Sequence, residues 1–377
     1  MMNNEEYIQE YVTTKGLSKN TYKSVKLIMN HYSNFQQKTI HELILEADAE
    51  EDEGIRWKRR TLKKRLTNYS NYLRENMTLN SAKTYLKIVK AFYTHHEIEI
   101  HKLPKINPAT SIVKEPVTYK DLPDKEIIRK AIEISTPVMR CLLLFLSSTG
   151  LSKVDALKLN IQDFITATES YHPQGLDLYS SLSTLWDVSK KVDIIPTFRS
   201  RRKKTNKYYI TFCSHEATME ILNYLAIRSK KEDLHPYSKL FKIDAQYYTK
   251  KFEEINDALQ LGKIGNYNRF RGHMLRKFHS SNLSNAGMDR YLINVLQGKS
   301  NGAVDDVYFF EDENQLREEY IKHMHSLLIF TEVKEVTVHS QEFLELKKEN
   351  EMLQEQLSEV KKMKAELEKI KEWFPLD

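Results

Sequence analysis

The sequence predicts a mainly helical protein whose second half is α+β. A helical bundle occupies residues 1–100, a linker 101–118, a larger domain with one small β-hairpin 119–330, and a coiled-coil helix 340–374. Three observations lead there. Ten glycines and nine prolines in 377 residues fall below the usual shares of about 7% and 5%, too few turn formers for an all-β chain. Apolar residues recur at three- and four-residue spacing through most of the sequence, the period of helices with one buried face. Hydrophobic residues make up 40% and charged residues 29%, which supplies real cores and excludes global disorder.

The elements follow in order. Ser18 is placed to cap a helix running through Tyr22, Val25, Leu27, Ile28, His31, Tyr32 and Phe35, apolar at mixed three- and four-residue spacing. The acidic run Asp48 to Glu53 reads as a solvated loop. The basic block after it, Arg56, Lys58, Arg59, Arg60, Lys63, Lys64 and Arg65, carries Leu62, Leu66, Tyr69 and Leu73 at helical spacing. One face can therefore be buried while the other stays positive. A further helix is expected from Ser81 to His95. Pro104, Pro108 and Pro116 then interrupt the pattern, since proline lacks a donor and restricts its predecessor. Helices are expected again from Asp124 to Ile134, from Pro137 to Ser147 and after Leu151. Two β-branched and aromatic segments, Val192–Phe198 and Tyr208–Phe212, flank a basic turn and read as a hairpin, with helices resuming at His215. In the tail, Phe343, Leu346, Asn350, Leu353, Leu357 and Val360 form an a/d seam. Met363 comes three residues after Val360, a stammer, before Leu367, Ile370 and Phe374 resume the alternation. A single amphipathic helix folded onto the body is the other reading of that segment.

Charge and cysteine content narrow the functional classes. The net charge is +6 and the pI about 8.9, so the clustering of cations matters more than their total. Cys141 and Cys213 stand far apart with no CxxC, which argues against a zinc site or a disulfide framework and for a reducing, cytoplasmic setting. The polar, acidic start predicts no signal peptide. The longest apolar run, Met139 to Leu146, is far shorter than the ~20 residues of a membrane span. There is no GxxxxGK[ST] loop and no acidic metal-binding cluster, so no metal and no cofactor are expected.

Two segments carry chemistry. Arg199, Arg201, Arg202, Lys203, Lys204 and Lys207 lie on the hairpin without an acidic residue among them, an arrangement suited to phosphates. Downstream, RFRGHMLRKFHSSNLSNAG holds Arg269, Arg271, His273 and Arg276. His273 and Arg276 are three apart on a helix and project from one face. Arginine offers a rigid fork to phosphate oxygens, and histidine exchanges a proton near neutral pH. A Gly287 break follows, then Leu296-Gln297-Gly298-Lys299, then Asp305-Asp306-Val307-Tyr308-Phe309.

This ordered series resembles the tyrosine recombinase (phage integrase) family. SSTGLSKVDALKLNIQDF, through Thr149, Gly150, Asp155, Leu159 and Asp163, is similar to the family's first motif. Lys204 matches its hairpin lysine, His273 and Arg276 its HxxR, and Lys299 its position after LxG, where the family has His or Trp. Tyr308 falls at the nucleophile position. The resemblance covers Tyr119 to about Leu328, and residues 1–100 look like the family's core-binding domain. It implies a site-specific DNA recombinase that cuts and rejoins strands through a 3′-phosphotyrosyl intermediate, in the service of a mobile element. Double-stranded DNA would be the partner, clamped between the two halves, with a homotetramer in the synaptic complex and no membrane. Arg199, Arg201, Arg202, Lys203, Lys207, Arg269, Arg271, Arg59, Arg60, Lys63 and Lys64 would contact DNA.

The chemistry explains the residue types. A tyrosine hydroxyl of pKa near 10 needs a base and nearby positive charge to attack. Cations around the non-bridging oxygens stabilise the phosphorane, and an acid protonates the leaving 5′ oxygen. The sequence departs from the family at the first motif, where Ser152 stands in place of arginine and Lys153 follows. A lysine supplies charge without the bidentate fork. Lys153 is the first candidate to compensate, with Arg140 and Arg271 behind it. The alternative function is a catalytically impaired, DNA-binding protein of the same fold with a coiled-coil interaction tail.

Overall fold

A computed structural model of the chain describes residues 3–104, 112, 117–202, 207–301 and 312–330. The coiled-coil reading of 340–374, most of the linker, and Lys203, Lys204 and Tyr308 lie outside the described residues. The backbone divides into two compact units, Met1–Pro116 and Val117–Asp377.

The first unit is a helical bundle of α1 (Asn4–Thr14), α2 (Lys19–Gln36), α3 (Ile40–Asp52), α4 (Thr61–Asn76) and α5 (Leu79–His95). Asn3 with Glu6 and Thr39 with Glu42 form capping boxes that satisfy the first amides of α1 and α3, and Ser18 caps α2 through the Thr21 amide. The core is rich in tyrosine. Tyr32, Tyr69 and Tyr93 are fully buried, with Tyr32 edge-on to Tyr69 at 4.8 Å between ring centroids and its hydroxyl 3.3 Å from that of Tyr93. Paired hydroxyls are what let such rings be buried at low cost.

The acidic run corrects the sequence reading: residues 48–52 are the last turn and a half of α3 rather than a loop. Glu50 is buried and accepts from the Thr61 and Leu62 amides at 2.5 and 3.2 Å. Helix α4 has Arg60 at its N-cap and no local side-chain cap, so a carboxylate from α3 serves its exposed amides and positive dipole end. Arg60 is itself buried, donating to the Glu51 carboxylate at 2.7 Å and the Ile55 carbonyl at 2.8 Å.

The second unit is built around α7 (Pro137–Thr149), in which every residue from Cys141 to Thr149 is buried. Proline at the first helical position and Gly150 at φ 61° after the last fix its two ends. A helix apolar on all sides belongs at the centre of its domain. Helix α6 (Lys125–Glu133) precedes it, and α11 (His215–Ser229) and α13 (Gly272–Asn285) pack on it. The short α8 (Lys153–Ala156) and α9 (Ile161–Ala167), then α10 (Leu178–Ser189), lead to the hairpin, while α12 (Ala245–Ala258), α14 (Arg290–Leu296) and α15 (Glu313–Met324) complete the helical shell.

The hairpin pairs β1 (Thr197–Arg201) with β2 (Tyr208–Phe212) antiparallel, Phe198 opposite Thr211 and Ser200 opposite Tyr209. The first strand starts later than the expected 192, because Pro196 has no amide to give a ladder. Ile194 and Ile195 instead anchor the approach as buried residues. A second two-stranded ribbon joins β3 (Lys263–Ile264) to β4 (Tyr267–Asn268) just ahead of α13. Among the described residues no helix is long and apolar enough to cross a membrane.

Candidate active site

Three chain segments meet where α7 ends, α13 begins and α14 ends. Gly150 turns the chain out of α7, and a Cβ there would stand 2.6 Å from the His279 ring, so glycine is required by both φ and space. Arg276, on the second turn of α13, donates from Nη1 to the Gly150 carbonyl and from Nη2 to the Gln297 carbonyl, each at 2.5 Å. Gln297, at the end of α14, returns two bonds of 3.0 Å from its Nε2, one to the Arg276 carbonyl and one to His279 Nδ1. That assigns the imidazole proton to Nε2. The ring of contacts fixes the guanidinium before any ligand arrives.

The hairpin supplies the next wall. Side chains alternate along β1, so Phe198 and Ser200 share the inner side while Arg199 and Arg201 face outward, and the half-buried Arg202 continues the inner row just past the strand. The guanidinium of Arg202 donates from Nη1 to the Gly298 carbonyl at 2.6 Å, one residue along from the carbonyl that holds Arg276. Gly298 has φ 58°, and a Cβ there would meet the Tyr209 ring at 2.7 Å. The Tyr209 hydroxyl reaches the buried Asp155 carboxylate at 3.4 Å. Lys299 follows Gly298, and His273 lies one turn ahead of Arg276 at the exposed rim.

The electrostatics of this pocket are one-sided. Burial, then the Arg202 charge, pushes the Arg276 guanidinium down to about 10. Burial, then Arg276, Arg202 and Arg290, pushes the Lys299 ammonium down to about 8. His273 lies below the usual imidazole range, first from partial burial and then from Lys277, Arg271, Arg276 and Lys299, which leaves it neutral at pH 7. His279 is pushed down to about 3 by complete burial and then by Arg276 and Lys299. Against these stands Asp155, whose pull on Arg276 is the smallest of the causes. Cations held this close, with Asp155 the one carboxylate acting on Arg276 among the described residues, make a site for an anion with several acceptor oxygens.

The structure thus brings His273, Arg276 and Lys299 together, with Arg202 beside them. Lys153 does not join them. Its ammonium donates to the Ala245 carbonyl and the Thr249 hydroxyl, both at 2.7 Å, and lies 4.6 Å from the centre of the Tyr248 ring. The reason is local: Ser152 is the N-cap of α8, bonded to Asp155 at 2.7 Å, and the next side chain leaves toward α12. Arg140 is paired with Glu220 at 3.3 Å. Arg271 donates to the Asn268 carbonyl and covers the Tyr267 ring at 5.2 Å.

The expected DNA contacts divide in the same way. Arg59 and Lys64 are exposed and Lys63 half-buried on the first unit. Arg60 is a correction, since its charge is spent inside the bundle on Glu51. Arg201 and Lys207 are exposed on the hairpin, whereas Arg199 is held by Glu313 at 2.6 Å and Glu169 at 3.8 Å. Arg269 donates to the Lys120 carbonyl at 2.8 Å. Glu10, His95 and His96 also bring ligating atoms within 4.8 Å of one another in the first unit. Packing accounts for that group, with His95 edge-on to Tyr11 at 5.0 Å and to His96 at 5.0 Å. The sequence offers Arg202 as a general DNA contact, although its even spacing from Phe198 and Ser200, carried one residue past β1, marks it as inward-facing. The bracing role of Gln297 had no sequence signal, since a buried amide looks like any other glutamine.

No model of a known protein family matches the sequence, and neither does any curated protein. Among solved structures, the chain is similar to XerA recombinase at 18% identity, covering 85% of this chain and 97% of that one, with a TM-score of 0.35. It is also similar to the Tn1549 transposon integrase in complex with circular intermediate DNA, at 15% identity over 85% of this chain and 99% of that one, TM-score 0.45. An integrase from mycobacterium phage Brujita matches at 12% identity over 86% of this chain and 93% of that one, TM-score 0.36.

Proposed function

We propose that the chain is a tyrosine-type DNA strand transferase, a site-specific recombinase or integrase acting on double-stranded DNA. The observation that carries this reading is the convergence of Arg276, Arg202, Lys299 and a neutral His273, with no carboxylate paired to Arg202 among the described residues. A phosphodiester in the pocket would place its non-bridging oxygens against fixed guanidinium donors. Those donors gain strength as charge develops in the transition state, with no reorganisation left to make.

The step balances without a cofactor. The Tyr308 hydroxyl oxygen forms a bond to phosphorus as the P–O5′ bond breaks. The phenolic proton passes to a base, for which neutral His273 is suited, and a proton is delivered to the departing 5′ oxygen. Lys299, with its pKa lowered to about 8, and the hairpin lysine Lys204 are the acids available. The products are a 3′-phosphotyrosyl bond and a free 5′-hydroxyl, and reversal rejoins a strand without ATP. Tyr320 is unsuited to the task, being fully buried with its hydroxyl on the Ser148 carbonyl at 3.0 Å.

The test is a nicked duplex carrying the DNA that flanks the gene in its genome, which traps covalent protein. Wild type is expected to form the adduct, Tyr308→Phe to bind without forming it, and Arg276→Ala to lose cleavage far more than binding. The second reading, a non-catalytic DNA-binding protein of this fold, is favoured by Ser152 in the first motif and by Lys153 turning to α12. Binding of that duplex by wild type with no adduct would establish it.

A further inference from the structure

We propose that Arg202 is a catalytic residue, the second guanidinium that grips the scissile phosphate beside Arg276. The inference rests on the strand-transferase reading above and extends it to a residue outside the sequence motifs. Its geometric basis is the pair of successive carbonyls at the end of α14. Gln297 holds one guanidinium at 2.5 Å and Gly298 holds the other at 2.6 Å, so two planar forks are fixed side by side. Among the described residues, Arg276 spends two donors on carbonyls and Arg202 spends one. Each fork carries five N–H groups, so both keep donors for an oxyanion.

Folding alone gives no reason to hold these charges together. Arg202 sits at the end of β1, where its backbone amide pairs with the Lys207 carbonyl at 2.9 Å, and a solvated side chain would serve that hairpin equally well. Instead it lies against Arg276 and Lys299, depressing both. Like charges so placed are costly in the free protein and favourable around a phosphate. The other candidates have partners elsewhere. Lys153 is bonded to α12, Arg140 is paired with Glu220, Arg199 with Glu313, and Arg271 covers Tyr267. Among the described residues, no carboxylate is paired with Arg202. Two forks can brace both non-bridging oxygens of a phosphodiester, whereas Ser152 contributes to its own helix cap.

The test measures adduct formation on the nicked flanking-DNA duplex, with an ordinary phosphodiester and with a neutral methylphosphonate at the scissile position. On the phosphodiester, Arg202→Ala is expected to slow the adduct about 100- to 1000-fold, with duplex binding changed only a few-fold. Arg202→Lys, which keeps charge but loses the fork, should fall between, and Arg140→Ala should match wild type. On the methylphosphonate, where one charged oxygen is gone, the gap between Arg202→Ala and wild type should shrink to less than about tenfold. An Arg202→Ala protein that keeps its thermal midpoint and forms adduct at the wild-type rate overturns the role of Arg202 while leaving the strand-transferase reading intact. A wild-type protein that forms no adduct overturns both.

Discussion

Lys153 illustrates how a side chain one position from a motif can be turned to other work. Its ammonium ties α8 to α12 through the Ala245 carbonyl and Thr249. Lys153→Ala is therefore expected to cost about 1 kcal/mol of stability, the scale of a lost hydrogen bond and cation–π contact, and to leave the cleavage rate within a few-fold of wild type. Urea unfolding alongside the adduct assay checks both. Lys299 makes the opposite prediction. With its ammonium lowered to about 8 in the free protein, it loses its charge as the pH rises through that value. Adduct formation at limiting DNA should then decline above about pH 8, and Lys299→Arg should extend activity to higher pH. Bound phosphate favours the charged form, so at saturating DNA the decline should move upward. A pH–rate profile identical in wild type and Lys299→Arg would contradict this.

At the scale of elements, the junction of α3 and α4 decides which of the basic residues remain available. Glu50 caps α4 from a neighbouring helix, so Glu50→Ala should destabilise the protein by about 1–2 kcal/mol, the range of a lost helix cap, seen as a lower urea midpoint. Arg60→Ala should likewise weaken the fold through the loss of Glu51 and leave the salt slope of DNA binding unchanged. Lys63→Ala and Lys64→Ala should do the reverse, each reducing that slope by roughly one if it meets a phosphate. None of this was legible in the sequence, where 48–53 reads as a solvated run. Its partners are nine or more positions away, as with Glu51 and Arg60 or Glu50 and Thr61, and local patterning carries no such information. The hairpin was legible in outline, since Phe198 and Tyr208–Phe212 carry β-type side chains. Its first strand begins at Thr197 rather than Val192, because the β-branched pair Ile194-Ile195 is buried ahead of Pro196 and lies before the ladder.

Across the whole molecule, the mainly helical architecture was readable from helical spacing and scarce turn formers. The meeting of His273, Arg276 and Lys299 was expected from the order of motifs. What the sequence withheld was the network beneath them, Gly150, His279 and Gln297, which becomes visible once three distant segments are folded together. That network has a consequence for stability. His279 stays neutral in the folded chain down to about 3, while an unfolded imidazole takes a proton near 6.5. Between those values the unfolded state binds more protons, so this contribution is fully present above about pH 6.5 and is lost as the pH falls. Replacing His279 by Gln should remove about 1.4 kcal/mol of the difference in unfolding free energy between pH 7.5 and 5.5, measured by urea titration. Strand transfer through Tyr308 leaves a covalent trace that can be read out chemically. The protein is incubated with the nicked flanking-DNA duplex, digested, and the DNA-linked peptide sequenced by mass spectrometry. The expected result is a peptide joined through Tyr308 to a 3′-phosphoryl end, a free 5′-hydroxyl on the released strand, and no such peptide from Tyr308→Phe. A linkage through any other residue, or one that persists in Tyr308→Phe, would contradict it.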